Sequence, residues 1–185
     1  MDDPKQVVET RLTAYQQELV KRLKPLLDRL DPAEVTEDSG LRITSAEASS
    51  GWTNTSGSWD TTEGEGLALQ ASVKRRDWRV HAWDLYASPT ECILGFAGGE
   101  LLEWHGDPGG DATLVDEVMK FVEAYLAGLT VVEEYNKRDR LIGIRYISHR
   151  DSKPLFSARE GFLGRLFRLR PKVERTRTFD VRFLK

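Results

Sequence analysis

Apolar residues recur every three or four positions from Val8 onward: Val8, Leu12, Tyr15, Leu19, Leu23, Leu26 and Leu30, with Lys, Arg, Glu and Gln between them. That spacing draws one apolar stripe on a helix. Asp2, Asp3 and Pro4 supply a cap and first turn ahead of it, because the missing proline N–H costs nothing there. Pro25 removes a backbone hydrogen bond within the stripe and predicts a kink or break near residues 21–24, and Asp31-Pro32 ends the segment. From residue 41 to 105 the period shortens to two, and turn residues punctuate a series of strands. In LALQASVK, Leu67, Leu69, Ala71 and Val73 face one way and Ala68, Gln70, Ser72 and Lys74 the other. WRVHAWDLY (78–86) is apolar on both sides, the pattern of a central strand. TECILGFAGG and ELLEWH follow as shorter strands.

A second helix is predicted at about residues 112–128, with Gly128 placed for a left-handed C-terminal cap. TVVEEY and LIGIRYI, joined by NKRD, read as a hairpin. The segment after them predicts a short amphipathic helix from Ala158 to Leu169 and a terminal strand in which Phe179, Val181 and Phe183 alternate. The order argues for an α+β fold: an antiparallel sheet of about six strands, packed by a long N-terminal helix and a second central helix, with a basic C-terminal tail. Residues 1–185 are expected to form a single domain, an acidic body at 1–157 and a tail at 158–185 that docks.

Composition sharpens this outline in two places. Hydrophobic residues make up 39% and charged residues 31%, the profile of a globular domain, and no run of 18 apolar residues predicts a membrane span. The net charge of −3 hides an uneven distribution: residues 150–185 carry eleven Lys and Arg against four Asp and Glu. Cys92 is the lone cysteine, so an internal disulfide is excluded, and TECILGF reads as a core setting for it. An acidic N-terminus and a single cysteine place the chain in the cytoplasm.

Candidate chemistry is sparse. GWTNTSGSWD (51–60) fits a hairpin in which Trp52 lies across from Trp59, and no other large apolar side chain occurs from Ser49 to Gly66. Such a finger has little core of its own, so it is expected to project and present an indole beside adaptable hydroxyls. Glu63 and Glu65 lie on one side of an extended chain, but paired catalytic carboxylates normally come from different elements, and an acidic Gly-rich turn is ordinarily just solvated. His105, Asp107 and Asp111 offer one nitrogen and two carboxylates, yet DPGGD is also an ordinary turn and helix cap. His81 reads as a strand residue satisfied by a neighbour such as Asp84. GFAGGE is not a dinucleotide fingerprint, and no GxSxG occurs. No metal, cofactor or catalytic set is expected. Arg165, Arg168 and Arg170 interleave with apolar residues, as in a membrane-surface or nucleic-acid contact, but overall acidity and the segment's shortness count against both and favour docking on protein.

The succession of a long helix, strands, a helix, a hairpin and a last short helix is similar to that of acidic bacterial secretion chaperones, a resemblance of element order. It implies an escort of another protein. The residues themselves lead first to a cytoplasmic, non-enzymatic protein-binding protein, most concretely an immunity protein for a bacterial toxin, contacting its partner through Trp52, Trp59, Asp60, Glu63 and Glu65. The alternatives are a chaperone-like escort, an adaptor acting through the basic tail, and an enzyme using Glu63 and Glu65. Whether the chain pairs with a second copy stays open.

Overall fold

The computed structural model describes residues 12–45, 66–77, 79–97, 99–105, 113–159 and 172–185. The fold is α+β with antiparallel sheets, and the strands form two sheets, of five and four strands, where the sequence predicts one sheet of about six. Two compact units divide the chain, Met1–Met119 and Lys120–Lys185.

The first unit holds helix α1 (Ala14–Leu27) and strands β1 (Gly40–Ser45), β2 (Leu67–Val73), β3 (Trp83–Ser88), β4 (Glu91–Phe96) and β5 (Gly99–His105), hydrogen-bonded in that order as an antiparallel meander. Alternation sorts the sheet into two faces. Paired residues lie side by side, so Leu41, Ala71, Leu85, Leu94 and Leu102 form one apolar row across all five strands. Ile43, Leu69, Ala87, Cys92 and Trp104 form the next. Leu69, Ala71, Leu85, Ala87, Cys92 and Leu94 are all buried, at roughly 25 cal/mol for each Å² of apolar surface removed from water.

The predicted stripe of α1 is seen at Leu12, Tyr15, Leu19 and Leu23, which are buried together with Gln16, Val20 and Leu27. The helix runs through Pro25 unbroken, contrary to the predicted break: the proline falls in the last turn, and the Asp28 N–H still bonds the Lys24 carbonyl at 2.9 Å. Gln16, 1% exposed, uses both ends of its amide. Its Oε1 accepts from the Thr13 N–H at 2.9 Å and the Thr13 hydroxyl at 3.0 Å, starting the helix. Its Nε2 donates to the Leu67 and Ala87 carbonyls at 2.8 and 2.9 Å, tying the helix to β2 and β3. A buried amide is stable only with such partners. The Tyr15 hydroxyl donates to the Ser88 carbonyl close by.

The segment 78–86 is central, as predicted, but not covered on both faces. The strand starts only at Trp83, and burial alternates, with Trp83, Leu85 and Ala87 inside while Asp84 and Tyr86 are half-buried. Its early apolar residues therefore serve a turn: the Val80 N–H bonds the Asp77 carbonyl at 3.0 Å and its side chain is buried.

Helix α2 (Leu114–Leu126) spans the division between the units. The second unit contains β6 (Leu129–Tyr135), β7 (Leu141–Ser148), β8 (Pro154–Arg159) and β9 (Arg175–Val181), ordered β8-β7-β6-β9. The NKRD hairpin forms as predicted: Asn136 Oδ1 accepts from the Arg138 and Arg140 N–H groups, and Asp139 takes φ 61°. Gly128 has φ 104°, as a left-handed cap requires. Ala158 belongs to β8, opposite Ile144, so no helix starts there; alternation carries the chain as a strand through Arg159. The terminal strand forms, with Val181 and Phe183 buried and the Phe183 ring centroid 4.4 Å from that of Tyr125.

Candidate functional site

The residues on which the sequence reading rests, Trp52, Trp59, Asp60, Glu63, Glu65, Arg165, Arg168 and Arg170, lie outside the described residues, as do Asp107 and Asp111. Two expectations about single residues do meet the structure. Cys92 is fully buried, and its thiol is pushed up to about 12, first by burial and then by the Glu91 carboxylate, so it holds its proton and packs as a small hydrophobe. His81 is not a strand residue; it precedes β3 and stands edge-on to the Phe96 ring at 6.4 Å.

The feature that sequence reasoning missed is the outer face of the five-stranded sheet. Register brings Arg42, Gln70, Tyr86, Ile93 and Glu103 into one row across all five strands. Ser72, Asp84 and Gly95 form the row beside it. Arg42 and Glu103 are exposed, and Gln70, Asp84, Tyr86 and Ile93 are half-buried. Leu101 on edge strand β5 is one of two large hydrophobic side chains exposed among the described residues, at 42%. Strands β3 to β5 contain Asp84, Glu91, Glu100 and Glu103 and no Lys or Arg. One half of this face is thus an aromatic and aliphatic centre among carboxylates.

Asp84 is held there against its own preference. Burial raises its pKa, Lys74 opposes this, and Asp38 adds to it. Near the same end of the sheet, Asp38 is lowered to about 2 by hydrogen bonds from Lys74, at 2.8 Å, and from Thr36. Asp77 is likewise lowered to about 2, first by its bond from Arg79, 2.6 Å away. These two pairs are local braces, whereas at Asp84 burial is opposed by the longer-range attraction of Lys74.

A second polar cluster sits on the outer face of the four-stranded sheet. The Thr130 hydroxyl donates to Asp180 Oδ1 at 2.6 Å and lies 3.0 Å from His149 Nε2, which is 3.4 Å from the same carboxylate oxygen. With the hydroxyl proton on Asp180, the histidine contact requires a proton on Nε2. A nucleophile–base set needs the reverse, a free Nε2 to accept the hydroxyl proton and a carboxylate behind Nδ1. Here Nδ1 packs toward Gly128, where a Cβ would lie 2.7 Å from it. The cluster therefore ties β6 to β9 and to the turn after β7.

Glu133 and Glu134 are buried on opposite faces of the central strand β6, at 2% and 4% exposure. Glu133 accepts from the Tyr135 hydroxyl at 2.8 Å, which raises the phenol's pKa, and Glu134 faces Arg145 at 3.4 Å. Buried carboxylates persist only with such partners. Among the described residues no group of three or more His, Cys, Asp or Glu is placed to hold a metal ion, and no helix is long and apolar enough to cross a membrane.

Charge divides with the units. Met1–Met119 carries 11 Lys and Arg against 22 Asp and Glu, and Lys120–Lys185 carries 16 against 8. No protein family, curated protein or solved structure matches the chain.

Proposed function

We propose that the chain is a non-enzymatic protein-binding protein of the cytoplasm, most concretely an immunity protein that neutralises a bacterial toxin by direct binding. One observation carries the reading: a half-buried carboxylate, Asp84, is kept at a position that disfavours its charge, within an open sheet face of Tyr86, Ile93, Leu101 and Glu103. Burial disfavours that carboxylate's charge in the fold, and a basic partner would supply a countercharge on docking. The net −11 of the first unit would steer such a partner and speed its association. Trp52, Trp59, Asp60, Glu63 and Glu65 are proposed to extend the same contact.

The test uses affinity capture from the native host, followed by co-expression of the captured protein with this chain. Wild type should relieve the toxicity of the partner, and Tyr86→Ala and Glu103→Lys should not, with the Tm of the exposed Glu103→Lys within about 2 °C of wild type and Tyr86→Ala compared at temperatures where it stays folded. Equal protection by the two variants would remove the face from the function.

A further inference from the structure

We propose that the open edge of β9 takes an extended, acidic segment of a partner protein by strand addition, at a surface separate from the acidic face of the first unit. Strand β9 ends the sheet order, and Arg175, Thr176, Arg177 and Thr178 are exposed one after another. An edge strand turns alternate N–H and C=O groups outward, a ready template for another chain. The two edges of this sheet are treated differently. Strand β8 begins with Pro154 and pairs with β7 through a register shift at Tyr146/Ile147, two devices that blunt an edge. Strand β9 pairs with β6 over seven residues, Leu129↔Val181 through Tyr135↔Arg175, with no shift, and contains neither proline nor glycine. Its backbone is thus regular enough to add a strand.

Charge selects the occupant. Arg175 and Arg177, two residues apart, share one face of β9 and lie opposite Tyr135 and Glu133. Arg175 is already oriented, with its guanidinium 4.6 Å over the Tyr135 ring and 2.7 Å from Asp139. Arg177 has no ion-pair partner among the described residues. The exposed hairpin residues Lys137 and Arg138 belong to the loop that Arg175 reaches through Asp139. An incoming strand with acidic residues at alternate positions would meet both arginines on one face while its backbone pairs with β9. Nucleic acid fits less well, because the Arg175 guanidinium covers the Tyr135 ring face on which a base would stack. Pairing two β9 edges would set the net +8 of one copy's second unit against that of the other.

The experiment titrates the full-length protein with a fluorescein-labelled ten-residue peptide that alternates glutamate and valine. The same peptide N-methylated at every second backbone nitrogen and a single-stranded oligouridine run in parallel. The unmodified peptide should bind and slow hydrogen exchange across β9, and N-methylation should weaken it about tenfold or more, because the outward N–H and C=O groups lose their partners. Arg177→Glu should weaken binding by a similar factor and Arg177→Lys by much less, with unchanged Tm in both. Equal binding of the methylated peptide, indifference to Arg177→Glu, absence of peptide binding, or binding of oligouridine alone would each overturn the proposal. None of these outcomes bears on the acidic face, whose test reads Tyr86 and Glu103.

Discussion

The two sheets obey one hydrophobic rule and differ in what they do with charge. In the five-stranded sheet the described carboxylates of β3 to β5 and Arg42 of β1 lie on the outer face, and the inner rows are apolar from edge to edge. In the four-stranded sheet the central strand itself carries two buried carboxylates, satisfied by a tyrosine and an arginine from the sheet. The first sheet keeps its acids for the outside, where β3 to β5 hold no Lys or Arg; the second exposes arginines on the edge strand β9. Core positions are constrained by packing, so they converge on the same residue types. Outer and edge positions are not, so differences there report on what each surface meets.

The comparison breaks most easily in the cores. Leu69→Ala and Leu129→Ala each empty a fully buried site and should each cost about 2–5 kcal/mol. Hydrogen exchange should show Leu69→Ala exposing amides of β1 to β5 first, and Leu129→Ala those of β6 to β9. Loss of protection spread evenly over both sheets would mean that the units do not open separately.

Next in size is a pair of glycines, one in each unit. Gly128 and Gly40 both have positive φ, 104° and 138°. A Cβ at Gly128 would lie 2.7 Å from His149 Nδ1 and 3.0 Å from the Val181 carbonyl oxygen, whereas at Gly40 nothing lies within 4 Å. Gly128→Ala should therefore cost about 2–4 kcal/mol by chemical denaturation and Gly40→Ala about 1 kcal/mol, since the second meets backbone strain alone.

Acid sharpens the contrast within the first unit. Asp38 and Asp77 have folded pKa values of about 2, below the ordinary carboxylate value, so the stability they contribute is present above pH 4 and is lost as pH falls toward 2. Asp38→Asn and Asp77→Asn should flatten the acid branch of a stability–pH curve across that window. Asp84 has the opposite sign: its raised pKa means that the protonated form suits the fold, so it contributes at low pH and opposes folding once pH rises through the folded value. Asp84→Asn should thus raise Tm at neutral pH by about 1–2 °C, after allowing for solvent screening of a half-buried group, while weakening partner capture. A drop in Tm would mean that the carboxylate is structural.

Much of the fold was legible in the chain because local rules act locally. The stripe Leu12, Tyr15, Leu19 and Leu23 needs only the helical period, and the Asn136 turn needs only one side chain that bonds its own backbone. Pro25 misled because its consequence depends on its distance from the helix end, two residues here. The segment 78–86 misled because an apolar run reads alike in a strand covered on both faces and in a turn whose side chains fold inward.

What the sequence determined alone, then, is which residues turn inward, where the chain reverses, and how its charge is shared between the two ends. What only the tertiary structure decided is adjacency. Arg42, Gln70, Tyr86, Ile93 and Glu103 come from five strands spread over 62 positions of the chain, and Thr130, His149 and Asp180 from three separate turns and strands. Alternation fixes the side on which a residue falls, but register fixes its neighbours, and register is a property of paired strands rather than of either strand.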